Sequence, residues 1–136
     1  MSRNDAYPTC AERLEEHYRS RMADLCRLWR NECDGMEDDE ETLADYGLCF
    51  DYVAPNTFED QPEGYFRYQL SWGGPSDEFR FYVNPDFTVH RIEYWFLDWF
   101  DGTSRHPDPE DGRLLTDLWE WFRECGAVEA AFRERS

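Results

Sequence analysis

The sequence predicts an α+β fold, an antiparallel four-stranded β-meander with an N-terminal helix and one or two C-terminal helices packed on one face of the sheet. Three patterns carry that prediction. Apolar residues recur every three or four positions near the start, alternate with polar ones through the middle, and return to helical spacing at the end. Helices at both ends of an antiparallel sheet make a two-layer domain.

The first helix is expected over residues 10–32. Thr9-Cys10-Ala11-Glu12 has the spacing of a capping box, and Leu14, Tyr18, Met22, Leu25 and Trp29 form one apolar stripe after it. Gly35 ends the helix, and the acidic run at 36–41 reads as a loop or as the first turn of a short helix to Tyr46. From Leu48 the residues become aromatic and β-branched with period two. Strands are expected at 48–54, 64–72, 78–83 and 89–99, separated by Pro55-Asn56, Gly73-Gly74-Pro75 and Asn84-Pro85-Asp86, with Asp101-Gly102 closing the last. Connections this short favour antiparallel neighbours, because a parallel pair needs a dozen or more linking residues. After Arg105-His106-Pro107-Asp108-Pro109, the spacing of Leu114, Leu115, Leu118, Trp119 and Phe122 marks a helix ending near Gly126, with a last short one over 128–132.

At 136 residues the chain has the length of a single domain, 1–136, enclosing one core. Its 31 Asp and Glu outnumber 14 basic residues, all of them Arg, for a net charge of −17. Such a field excludes a generic binder of nucleic acid or anionic lipid. Aromatics make up 18% of the chain, which separates it from a disordered acidic tail. No run approaches the roughly 20 apolar residues that cross a bilayer, and Met1-Ser2-Arg3-Asn4-Asp5 lacks the apolar stretch of a secretory signal, so a cytoplasmic location is expected. Cys10, Cys26, Cys33, Cys49 and Cys125 include no C-x-x-C pair and are expected to be reduced and mostly buried.

The acidic charge is concentrated. Twelve carboxylates and no Arg fall between Glu32 and Glu63. Such a block serves as a solvated surface or stands where a partner's basic groups expect phosphates. The candidate partner-binding residues are Glu37, Asp38, Asp39, Glu40, Glu41, Asp45, Glu59, Asp60 and Glu63. Trp95 and Trp99 join them. In the fourth strand Ile92, Tyr94 and Phe96 share one face, and Val89, Arg91, Glu93, Trp95, Leu97 and Trp99 the other, so the second face is apolar toward its end. Either a loop continues the core over that face, or it is an interface with Trp anchors.

Catalytic signals are thin. His17, His90 and His106 form no metal or nucleophile spacing, and acid pairs such as Asp98 with Asp101 or Asp108 with Asp111 are expected by chance in so acidic a chain. The Gly73-Gly74 stretch has neither the Lys nor the strand-to-helix setting of a phosphate loop. Arg67, Arg80 and Arg91 on adjacent strands are expected to form cross-strand ion pairs with acids such as Asp77, Glu78 and Glu93, with an anion pocket as the lesser reading. No cofactor, no metal and no catalytic residue is expected, and the chain reads as a non-enzyme.

The segments Tyr68-Gln69-Leu70-Ser71-Trp72-Gly73-Gly74-Pro75-Ser76-Asp77-Glu78-Phe79-Arg80-Phe81 and Arg91-Ile92-Glu93-Tyr94-Trp95-Phe96-Leu97-Asp98-Trp99-Phe100-Asp101-Gly102 resemble a small protein of bacterial plasmids and phage-related mobile genetic elements. In size and charge the chain resembles the anti-restriction and anti-CRISPR inhibitors that act as DNA mimics. That resemblance carries over no residue's role. It implies a protein–protein interaction in which carboxylates occupy the basic channel of a CRISPR effector or restriction enzyme, with no direct nucleic-acid or membrane contact and with homodimerisation open. Three alternatives remain: an immunity protein capping a basic nuclease toxin, a metal-dependent enzyme using clustered carboxylates, and a structural subunit whose exposed Trp face pairs with itself.

Overall fold

The computed structural model describes residues 10–34, 46–47, 49–71, 75–98 and 101–134. The period-four apolar stripe forms helix α1, Cys10–Asp34, whose buried line is Leu14, Tyr18, Met22, Leu25 and Leu28. The alternating segments form strands β1 (Cys49–Val53), β2 (Tyr65–Ser71), β3 (Ser76–Val83), β4 (Val89–Asp98) and β5 (Asp101–Arg105). Helices α2 (Pro109–Glu124) and α3 (Ala127–Glu134) follow. Pro109 opens α2, where its missing N–H costs nothing, and Gly126 takes the left-handed conformation (φ 84°) between α2 and α3.

The sheet is an antiparallel meander in the order β1-β2-β3-β4-β5. The expected sheet of four strands is therefore corrected to five. The fifth, Asp-Gly-Thr-Ser-Arg, has no aromatic run and reads locally as a turn, yet it pairs with β4 over Tyr94–Asp98 as a short polar edge.

The inner face of the sheet meets the helices. Phe66, Tyr68, Phe79, Phe81, Tyr94 and Phe96 pack there against the α1 stripe and against Leu115, Leu118, Trp119 and Phe122 of α2. Trp119 is fully buried beside the rings of Phe66, Phe81 and Phe50, and its indole N–H donates to the Phe87 carbonyl at 2.9 Å.

Two irregularities re-aim side chains. Between Gln69 and Ser71 the β2–β3 register shifts, which brings Ser71 opposite Asp77 so that its hydroxyl donates to that carboxylate. Between Tyr82 and Val83 the β3–β4 register also shifts, leaving His90 as an extra residue on β4. Strict alternation would put Val89 on the outer face; with the bulge it packs against the main core instead.

Asp77, 1% exposed, is the buried acid of the inner layer. It accepts from Arg21 of α1 at 2.7 and 3.0 Å, from the Tyr94 hydroxyl at 2.6 Å and from Ser71. Burial pushes its pKa up, but the Arg21, Ser71 and Tyr94 donors outweigh burial and hold it below the ordinary aspartate value.

Candidate functional site

The outer face of the sheet carries the site. Here β-alternation gathers a second, small buried cluster of Val53, Tyr65 and Tyr82, with Trp95 on the neighbouring strand. The β1–β2 connection, residues 54–64, overhangs this face and leaves a cleft of about 350 Å³. Phe58, Glu59, Asp60 and Glu63 form its loop side; Tyr65, Arg80, Tyr82, Arg91 and Trp95 line the sheet side.

The loop is held by its own polar groups. The Gln61 side chain accepts from the backbone N–H groups of Thr57 and Phe58 at 2.9 and 3.0 Å and donates to the carbonyls of Ala54 and Glu63 at 3.0 and 2.8 Å. Asn56 and Asp60 take left-handed φ of 64° and 57°, conformations that these residue types tolerate better than most. Gly64 closes the loop against Tyr52, where an added Cβ would stand 2.2 Å from the tyrosine oxygen. Phe58 is left 52% exposed, the one exposed large hydrophobic side chain among the described residues.

The sheet side of the cleft is a layer of arginines stacked on aromatic rings. Arg80 lies over Trp95 at 4.1 Å and over Tyr65 at 4.6 Å, and its Nε donates to the buried Glu78 at 2.7 Å. Arg91 lies over Tyr82 at 3.8 Å and donates to Glu63 at 2.8 Å. Glu93 accepts from both the Tyr82 hydroxyl and the Trp95 indole at 3.0 Å. Burial raises the Tyr65 hydroxyl to about 12, and that hydroxyl has no hydrogen-bond partner among the described residues.

Of the residues singled out in the sequence, Glu59, Asp60, Glu63 and Trp95 come together at this cleft although Trp95 is far from the others along the chain. Their states differ. Glu63 is paired with Arg91 and lies 3.4 Å from His90, whereas Glu59 and Asp60 are exposed and unpaired among the described residues. Trp95 is half-buried under Arg80 rather than a bare anchor. Glu37, Asp38, Asp39, Glu40, Glu41, Asp45 and Trp99 lie outside the described residues. Phe58 was missed because a single aromatic between turn residues gives no periodic signal; Arg80 and Arg91 were read as ion-pair partners or as the lining of an anion pocket, not as part of a cleft under the β1–β2 loop.

The expected cross-strand pairing of the outer arginines holds only for Arg67 with Asp51; Arg80 and Glu78 share β3, Arg91 and Glu93 share β4, and Glu63 belongs to the loop. Arg67 pairs with Asp51 at 2.7 Å, Arg80 with Glu78, and Arg91 with Glu63 and Glu93, but Asp77 belongs to Arg21 on the opposite face. Asp98 pairs with Arg13 and Asp108 with Arg105, and Asp111 accepts from Tyr18. Among the described residues no three His, Cys, Asp or Glu gather to hold a metal ion. Cys26, Cys33, Cys49 and Cys125 are free but exposed, a correction to the expectation of burial; Cys26 and Cys33 lie off the buried stripe of α1.

A larger cleft of about 610 Å³ runs between Val89–Ile92 of β4 and the first turns of α2, with His90, His106 and Arg113 on its walls. None of the candidate partner-binding carboxylates or tryptophans lines it, whereas Asp108, of the acid pair noted in the sequence, does. Among the described residues no helix is long and apolar enough to cross a membrane. No protein family, curated protein or solved structure matches the chain.

Proposed function

We propose that this chain is a non-enzymatic inhibitor of a bacterial defence nuclease, an anti-CRISPR or anti-restriction protein whose acidic surface takes the place of DNA phosphates in a basic nucleic-acid channel. The partition of charge supports the reading. Ten arginines lie against the protein's own carboxylates. Eight exposed carboxylates, Glu16, Glu32, Glu59, Asp60, Glu110, Asp117, Glu124 and Glu134, have no partner among the described residues. Most of the described cations are thus paired with the protein's own carboxylates, some in the fold and others, such as Arg19 and Arg133, at the surface, and a surplus of unpaired negative charge faces outward.

Glu110, Asp117 and Glu124 repeat every seven residues on the exposed side of α2, about 10 Å apart along the helix axis. Charge of this kind chiefly accelerates encounter with a cationic partner, while buried anchors lengthen residence. The test is affinity capture from bacterial lysates containing restriction and CRISPR effectors, under rising salt, followed by competition between the captured effector's DNA and this protein. Salt-dependent capture of a DNA-binding effector, with DNA displaced, is the expected result. No partner at low salt from folded protein overturns the proposal.

A further inference from the structure

Among the described residues, five arginines are each held between an aromatic face and a carboxylate. Arg80 has Trp95, Tyr65 and Glu78; Arg91 has Tyr82 and Glu63; Arg105 has Tyr18 at 3.9 Å and Glu15 at 2.7 Å. Arg13 sits over Phe96 and pairs with Asp98, and Arg21 sits over Tyr46 and pairs with Asp77. The combination recurs because a guanidinium is planar: its face stacks on a ring while its edge donates to carboxylate oxygens.

At the tip of the β1–β2 loop the same ingredients stand without a cation. Phe58 shows half of its surface, and the next two residues are the unpaired carboxylates Glu59 and Asp60. No guanidinium lies over the Phe58 ring among the described residues. Tyr65, which also lines this cleft, is 1% exposed and its buried hydroxyl is without a partner among the described residues.

We infer that this loop is a preformed receiving site for an arginine side chain of a basic protein partner, which stacks on Phe58 and donates to Glu59 and Asp60. The inference rests on the proposed function for the class of partner, and it adds the residue type recognised. The Gln61 hydrogen bonds fix the loop beforehand, so little ordering cost is left for binding. Lysine can satisfy the charge but offers no plane to stack, which makes discrimination between the two cations the signature of the site.

The experiment titrates the full-length ¹⁵N-labelled protein with hexa-arginine and with hexa-lysine peptides at low salt. Amide shifts at 57–61 are expected with both. The arginine peptide is expected to bind roughly two- to fivefold more tightly through the ring contact. Phe58→Ala should erase that preference with the remaining spectrum intact, and Phe58→Tyr should keep it. Equal binding of the two peptides to the wild type, or a preference that survives Phe58→Ala, overturns the inference. Because the titration uses no nuclease, a positive result with no displacement of DNA from any effector overturns the inhibitor reading alone. An inhibitor whose potency is unchanged by Phe58→Ala removes the loop from the interface and leaves that reading standing.

Discussion

Replacing Asp77 with Asn tests the packing of α1 on the sheet. The carboxylate is 1% exposed and receives four side-chain hydrogen bonds, two from Arg21, one from Tyr94 and one from Ser71. Asn keeps the size but offers one acceptor oxygen, turns an NH₂ group toward those donors, and leaves the Arg21 guanidinium without its charge partner. Breaking a buried ion pair costs about 3–5 kcal/mol. The Arg21 side chain is 22% exposed, so water relieves part of that loss, and a destabilisation of about 3 kcal/mol is expected. Urea denaturation followed by far-ultraviolet circular dichroism measures it at pH 7. The Asp77 pKa is lowered in the folded state, so its stabilisation is present above the unfolded value and is lost as pH falls through the folded value. The gap between wild type and variant should therefore hold from pH 7 to about 4 and close below it, where the wild-type carboxylate is protonated as well. A loss under 1 kcal/mol, or a gap that stays constant down to pH 2, would refute the assignment of Asp77 as the ionised anchor of α1.

Gly112→Ala should raise stability by about 0.5–1 kcal/mol in the same assay, because glycine weakens a helix and an added Cβ at this position meets nothing within 4 Å. Trp119→Phe should cost about 2–4 kcal/mol by opening a cavity beside Phe66 and Phe81 and leaving the Phe87 carbonyl unpaired, again read by urea denaturation. Gln61→Ala should speed hydrogen exchange at the Thr57 and Phe58 amides, which it accepts from directly, while leaving the amides of β3 and β4 as protected as before.

The helices and four strands were legible because each buries a face, and burial imposes a period on the sequence. Leu14, Tyr18, Met22 and Leu25 mark α1 by themselves, and the strand boundaries fall within two residues of those expected. What failed to show was structure held by pairing or by single contacts. β5 takes its place from backbone bonds to β4, which five residues of any polar type can make. Val89 was put on the wrong face because the bulge at His90 is invisible to a count of alternate positions. At the site, Glu59, Asp60 and Glu63 were legible as charge and Trp95 as an aromatic on the outer face of the fourth strand. Their meeting at one cleft depends on how the loop folds over the sheet, and that in turn depends on Gln61, one amide with four partners and no signature in composition.

The use of arginine alone as the basic residue follows from the same architecture. A chain of this charge needs cations where its carboxylates crowd or are buried, as at Asp77 and Glu78. A lysine ammonium would neutralise them at a point but would have to keep its hydration, and it could not lie flat between a ring and a carboxylate. Arginine does both, and Arg80 shows the consequence: it neutralises Glu78, covers the faces of Trp95 and Tyr65, and remains only partly exposed. The outer sheet face is therefore closed by the protein's own cations where its aromatics would otherwise be bare. The loop tip departs from that rule, with an aromatic ring and two carboxylates left uncovered. With the internal arginine sites filled by the protein's own side chains, the loop tip is where, among the described residues, an exposed ring is followed by two unpaired carboxylates, which is why the proposed guanidinium site is placed there.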